Sequence, residues 1–227
     1  VGGFMNVKVV GITKPLVEGM ETAAELVSYC ARVSNPDNQM NFKTSGGLLK
    51  YCIKHKHFSI FEMVNVVMEV TTTRDIGRQI LRHRSFSFQE FSQRYSQASP
   101  DLELREMRLQ DNENKQNSIK GEDSMDFIGM QRDVWSVAVT AYLYSLNSGV
   151  AKEQARALLP EGLTSTSMYM NGSLRSWITY CTVRCGIETQ KEHRDIAKKC
   201  AILLFKDFPF LKEVMGEVLQ DNYSAED

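Results

Sequence analysis

The sequence predicts a single α+β domain, a small sheet surrounded by many helices. Three observations carry that expectation. Met5–Ile12 and Asn65–Thr73 are rich in Val and β-branched residues and read as strands. Most of the remaining chain repeats apolar residues at helical spacing. No internal repeat and no linker interrupts the 227 residues, so 1–227 reads as one unit.

The elements follow in order. After the strand at Met5–Ile12, Thr22–Val33 spaces Leu26, Cys30 and Val33 along one helical face, and Asn35-Pro36-Asp37-Asn38 breaks it. Ser45 caps a short helix with Leu48, Leu49, Cys52 and Ile53 inward and Lys50, Lys54 and Lys56 outward. Asn65–Thr73 is the second strand, and Arg74–Arg84 returns to helical spacing around Ile76, Ile80 and Leu81. Phe86–Tyr95 is aromatic and extended or irregular. Residues 101–125 form a variable, charged excursion with few apolar residues, read as exposed and partly helical. Met125–Asn147 is a long amphipathic helix with Trp135, Ala138, Val139, Tyr142 and Leu146 inward and Gly149 as its stop. Helices at Ala151–Leu159 and Leu174–Arg184 follow, the second with Trp177, Ile178 and Cys181 facing the core. Thr189-Gln-Lys-Glu192 fits a capping box that opens a helix through Phe205, and Pro209–Leu219 closes the chain as an amphipathic helix.

Composition narrows the function. Hydrophobic residues at 42% and charged residues at 24% allow a packed core and argue against disorder. A net charge of -1 excludes a polycation, so any anion site has to come from local clustering. The longest apolar runs, such as Cys200–Phe205, are too short to span a membrane, and no secretion signal is visible. Val1–Phe4 reads as a cloning remnant ahead of a start at Met5, and the setting as cytoplasmic. The five cysteines, Cys30, Cys52, Cys181, Cys185 and Cys200, lack a C-x-x-C pair and read as reduced thiols. Four His and five Cys form no zinc pattern, so no metal is expected.

Charge concentrates at Arg74–Arg94, with five Arg and no Lys against Asp75 and Glu90. Arg rather than Lys suits planar, bidentate contacts to phosphate or carboxylate. Arg74, Arg78 and Arg82 lie four apart, so a solvated helical face is the other reading. In the extended segment, Phe86 and Phe88 share parity with Glu90, Ser92 and Arg94. That places an acceptor, a hydroxyl and a cation beside an aromatic floor, unless the segment is only an edge strand of mixed pairs. Arg156 sits among Ala and Leu and needs a partner. Arg184 ends an apolar helix, where a cation is favourable through the helix dipole alone. There is no G-x-G-x-x-G, no Walker loop and no G-x-S-x-G elbow.

At Arg82-His83-Arg84, followed after seven residues by Ser92-Gln93-Arg94, RHRSFSFQEFSQRYS resembles the RHR-x7-S signature of flavin-dependent thymidylate synthases. The resemblance extends through ARVSNP at Ala31–Pro36, KHKHFSIFE at Lys54–Glu62, SGVAKEQARALLP at Ser148–Pro160, MNGSLRSWITY at Met170–Tyr180 and TQKEHR at Thr189–Arg194. Residues 101–125 fall outside it.

The resemblance implies reductive methylation of dUMP to dTMP, with 5,10-methylenetetrahydrofolate as carbon donor and FAD, reduced by NADPH, as hydride carrier. Tetrahydrofolate leaves, and no enzyme nucleophile is needed. It implies a small, mostly antiparallel sheet and a homotetramer with sites shared between subunits. Arg184 matches the residue that stabilises ionised N3 of dUMP, and is the one catalytic assignment. Gln79, Arg82, Glu90 and Ser92 match further dUMP contacts, as do Gln93, Arg94 and Arg156. Flavin contacts match at Ser59, Arg82, His83, Arg84 and Glu90, and at Arg175. Asn171 and Ser173 compete for one more flavin position. Thr179 stands where the family usually shows Asn or His.

Two rivals come from other classes. A nucleic-acid binder using the Arg strip is disfavoured by the net charge and by the lack of a reader motif. An inactive paralogue is disfavoured because Arg184 and the RHR motif are both present. A compact, self-sufficient enzyme of this kind suits a bacterium or a large DNA virus.

Overall fold

The computed structural model describes residues 5–94, 96, 102–115, 117–121 and 125–219. Strand β1 (Asn6–Ile12) is followed by helices α1 (Ala23–Ala31) and α2 (Ser45–Lys54). Next come β2 (Asn65–Thr73), α3 (Arg74–Ile80) and β3 (Ser87–Glu90). A hairpin of β4 (Arg108–Gln110) and β5 (Ser118–Lys120) precedes the long α4 (Met125–Asn147) and the short α5 (Lys152–Ala155). The chain ends with β6 (Ser165–Ser173), α6 (Leu174–Arg184), α7 (Lys191–Asp207) and α8 (Phe210–Met215).

Four strands form one sheet in the order β1-β2-β6-β3. Neighbouring strands run antiparallel, because as one index rises its partner's falls. The Thr13 N–H donates to Asn65 O, while Gly11 faces Val67. Arg74 N–H donates to Thr164 O, and Leu174 N–H to Val64 O. Phe91 N–H donates to Ser167 O, while the Phe86 ring lies over Gly172. A Cβ at Gly172 would meet that ring at 2.5 Å, so the close approach requires glycine.

The chain divides into two compact units, Val1–Asn6 with Val70–Arg82 and Gln89–Met168, and Val7–Glu69 with His83–Phe88 and Tyr169–Asp227. Their segments interleave, so no single point in the sequence separates them, which is why no linker was legible. The boundary falls inside all four strands of the sheet, β1, β2, β3 and β6.

The first unit is centred on α4. Trp135 and Tyr142 pack with Ala155, Leu159 and Leu163, and half-buried Leu102, Val139 and Leu146 extend the cluster. The face expected from periodicity is the face that is buried. Gly149 ends the helix region with φ +84°, a conformation only glycine adopts without strain.

The second unit packs α6 against α7. Trp177 is fully buried, and its indole N–H donates to Val66 O at 3.0 Å. Leu174, Cys181, Ile196, Ala197, Cys200 and Leu204 are buried with it. Each such side chain contributes roughly 1.5–3 kcal/mol.

Two strands turn straight into helices. Thr73 ends β2 and α3 starts at Arg74; Ser173 ends β6 and its hydroxyl caps α6, accepting from Ser176 N–H at 3.3 Å. These corners place Arg74 and Arg175 at the first turns of their helices.

Several expectations change. Residues 101–125 hold the β4–β5 hairpin, paired Arg108 to Lys120 and Gln110 to Ser118, and no helix among the described residues before Met125. The charge pattern hid a ribbon whose alternation is only three residues long. In α1 the buried residues are Val27 and Ser28, and Val33 is 70% exposed, because the helix stops at Ala31. Ser45 is the first residue of α2 rather than its cap, and its hydroxyl meets Ser28 at 2.7 Å. The capping box at Thr189 does not form. Gln190 is the N-cap, and the Thr189 hydroxyl donates to Val183 O instead. Strand β6 went unread, although Thr166, Met168, Met170 and Gly172 alternate inward.

Candidate functional site

In the first unit the Arg strip separates into two environments. Arg74 and Arg78 are a turn apart on α3 and both line a cavity of about 370 Å³. That volume falls in the range of about 300–1,000 Å³ typical of small-ligand sites. Arg82 follows the end of the helix at Ile80, so it leaves the stripe and is exposed.

The cavity is also lined by Gln93, Glu153, Arg156 and Glu161. Three guanidinium groups therefore face two carboxylates. Arg78 is paired with Glu161, and Arg94 with Glu153 at 3.3 Å. Arg156 donates only to the Glu153 carbonyl, at 3.2 Å. Gln93 is 3% exposed, and its side-chain N–H₂ is buried without a partner. A buried donor left unmatched costs about 1–3 kcal/mol, so the wall of this cavity favours a ligand with acceptor oxygens.

Beside it, the Glu90 carboxylate accepts from the Thr166 hydroxyl at 2.9 Å and lies 3.9 Å from Arg74. Along the strand, Phe86, Phe88, Glu90 and Ser92 are more buried than Ser87, Gln89 and Phe91, as the parity argument expected, but the alternation breaks in the turn after Ser92, where Gln93 is buried and Arg94 exposed. The Ser92 hydroxyl accepts from Arg94 N–H at 3.4 Å, within a turn closed by Ser96 N–H to Ser92 O. Among the described residues no base sits on it to activate it. Gln79 is half-buried on the last turn of α3. Sequence reasoning had Arg156 and Gln93 as substrate contacts and Arg74 and Arg78 only as part of the Arg strip, and it did not name Glu153 or Glu161. The four-residue spacing was the available signal for the two Arg.

In the second unit, Arg184 is half-buried at the end of α6, and its Nε–H donates to His83 Nε2 at 2.9 Å. An Arg never gives up its proton here, so the accepting nitrogen of His83 is unprotonated. No ion pair with a carboxylate forms at Arg184 among the described residues. His83 stands edge-on to Tyr180, with ring centroids 5.0 Å apart. Behind it, Tyr180 and His193 share a hydrogen bond of 3.2 Å. Burial, then the Arg184 guanidinium and the neighbouring His83 ring, push the His193 pKa down to about 3.

Arg175 and Thr179 form the exposed stripe of α6, opposite Trp177, Ile178 and Cys181. Arg175 pairs with Glu62 at 3.0 Å. Ser59 and Arg84 are exposed. Ser173 is engaged as the α6 cap, with Ser176 Oγ at 3.2 Å. Asn171 instead keeps a buried side-chain oxygen without a partner. These groups fit a flavin nucleotide: exposed guanidinium groups at Arg84 and Arg175 suit its phosphates, and the Asn171 oxygen awaits a donor.

All five thiols are unpaired. Burial raises Cys30 and Cys52, lifts Cys185 to about 11, and holds Cys181 and Cys200 higher still. None is a thiolate near neutral pH. Among the described residues, no group of three or more His, Cys, Asp or Glu is placed to hold a metal ion. No helix among them is long and apolar enough to cross a membrane.

The family model of thymidylate synthase complementing proteins matches residues 15–210. A probable flavin-dependent thymidylate synthase of Paramecium bursaria Chlorella virus 1 is 45% identical over 217 residues, covering 94% of this chain and all of that protein. The flavin-dependent thymidylate synthase of Synechocystis sp. is 47% identical, covering 90% and 96%. In fold, the chain resembles the UMP/dUMP methylase PolB of Streptomyces cacaoi, solved with 5-Br dUMP. The TM-score is 0.79 at 23% identity, over 93% of this chain and 94% of that one.

Proposed function

Because this chain belongs to the flavin-dependent thymidylate synthase family, we propose that it converts dUMP to dTMP with Arg184 as the group that makes the pyrimidine reactive. The observation that carries this reading is the Arg184–His83 bond. A neutral acceptor orients the guanidinium without cancelling its charge. The full charge is then available to stabilise ionised N3 of dUMP, which raises the nucleophilicity of the ring carbon that receives the methylene. No enzyme nucleophile takes part. The thiols are buried or raised, and Ser92 has no base.

The cavity of the first unit takes the dUMP phosphate. Arg74, Arg78 and Arg156 supply charge, and the buried Gln93 amide supplies a donor. Ser92, Arg94, Glu90, Gln79 and Arg82 complete the nucleotide contacts. Ser59, His83, Arg84, Arg175, Thr179 and Asn171 hold FAD, with Ser173 keeping α6 in place beneath them. When bound, FAD carries the hydride from NADPH, and 5,10-methylenetetrahydrofolate brings the carbon.

The active form is a homotetramer with sites shared between subunits. In support, α4 exposes a second apolar stripe. Met130, Val134, Val137 and Tyr144 are 64%, 54%, 72% and 73% exposed, at successive steps of four, three and seven residues. Such a seam is otherwise a solubility liability.

The test is a visible absorption spectrum of the purified protein, before and after dUMP, with its mass measured by light scattering. A flavin spectrum shifted by dUMP and a four-chain mass are expected. Protein that stays colourless after incubation with FAD, or that stays monomeric with both ligands, would overturn the reading.

A further inference from the structure

The charged excursion is not merely a solvated surface. Arg105, from its first half, has a side chain only 15% exposed. Its main chain is gripped by the buried Gln131 of α4: Arg105 N–H donates to Gln131 Oε1 at 2.7 Å, and Gln131 Nε2 donates to Arg105 O at 3.0 Å. Its guanidinium donates to both Asp75 oxygens, at 2.8 and 3.0 Å, and to the Thr73 hydroxyl at 2.6 Å. It also reaches Gly162 O at 3.4 Å.

Those partners are neighbours of the cavity wall. Asp75 lies between Arg74 and Arg78 on the first turn of α3, and Gly162 follows Glu161. A carboxylate at a helix N-terminus is stabilised by the dipole. At i,i+3 from Arg78, which already pairs with Glu161, it is a second carboxylate on the same helix able to draw that guanidinium away from a ligand. A guanidinium whose Nη2 lies against both Asp75 oxygens, beside the Thr73 hydroxyl that donates to one of them at 2.6 Å, removes it from that competition.

Resting on the reading that this cavity takes the dUMP phosphate, we propose that Arg105 is a positioning residue of the phosphate site. It holds Asp75 away from Arg78 and ties the Gly162 turn to the start of α3. The excursion, which lies inside the family match over residues 15–210, thereby sets the affinity of this enzyme for its nucleotide.

The test uses full-length, FAD-loaded protein. It measures KM for dUMP, kcat, and competition by inorganic phosphate against dUMP. Arg105→Ala is expected to raise KM for dUMP about tenfold with kcat within about twofold, as expected for loss of a charge-assisted contact. Adding Asp75→Asn should restore most of that affinity, because the freed carboxylate is gone. A purely packing role would not be rescued in this way. If Arg105→Ala does not fold, Arg105→Lys serves, since an ammonium lacks the fork; a KM raised about threefold and restored by Asp75→Asn is expected. Unchanged KM in either variant, or a double variant as weak as the single one, would overturn the proposal. Wild-type protein that binds dUMP without competition from phosphate would overturn the cavity reading beneath it.

Discussion

The two units hold their arginines in opposite ways. In the first, Arg78 and Arg94 are paired with Glu161 and Glu153, so at the proposed phosphate site the charge is kept in reserve. In the second, Arg184 rests on the neutral nitrogen of His83 above a buried aromatic layer, and no carboxylate among the described residues pairs with it. The difference fits the two roles proposed above. A phosphate arrives with its own charge and can compete for exposed ion pairs worth about 0–1 kcal/mol each. A pyrimidine acquires negative charge only as it reacts, so the group that stabilises it has to be aimed and uncompensated beforehand.

The comparison breaks most sharply at Arg184. Arg184→Ala is expected to lower kcat by on the order of 10³-fold while flavin stays bound, the scale found when a preorganised charge-stabilising donor is removed. Near-normal turnover with an intact flavin spectrum would mean that the charge on the ring is stabilised elsewhere.

The next effect is on stability. His193 has a folded pKa of about 3, below its value of about 6.5 in the unfolded chain, so unfolding takes up a proton between those limits. Its contribution is full above about pH 6.5 and is lost as pH falls toward 3, by roughly 3 kcal/mol at pH 4. Thermal melts across this range should therefore be steeper for wild type than for His193→Gln. Parallel acid limbs would show that the buried pair does not keep the ring neutral.

The smallest effect is at Ser92, in the reserve region. Ser92→Ala should raise KM for dUMP a few-fold, the scale of one neutral hydrogen bond at about 1 kcal/mol, and leave turnover measurable. A variant that binds dUMP yet is wholly inactive would restore Ser92 as a nucleophile.

Much of the fold was legible because local chemistry agreed with it. The bounds of α4 and α6 match their periodicity, and Asn65–Thr73 is β2 residue for residue. The failures lie where long-range partners decide. Ser28 and Ser45 are buried together across 17 positions. Thr189 turned to Val183 rather than to a capping box. Strand β6 alternates Thr and Met, a weak signal that pairing with two neighbours made sufficient.

The site divides in the same manner. The family resemblance singled out the RHR segment, Ser92 and Arg184, whereas the pattern alone left Arg184 as a helix-end cation. Only the tertiary structure decided which arginines act together. Helix α3 ends before Arg82, so Arg74 and Arg78 stay with the cavity while Arg82 leaves it. Only the fold separates Asn171, with an open acceptor, from Ser173, held as a cap. It also turns Arg105 from surface charge into a clasp on Asp75. A side chain's type is local information, but its electrostatic role depends on which partners already satisfy it, and those come from distant parts of the chain.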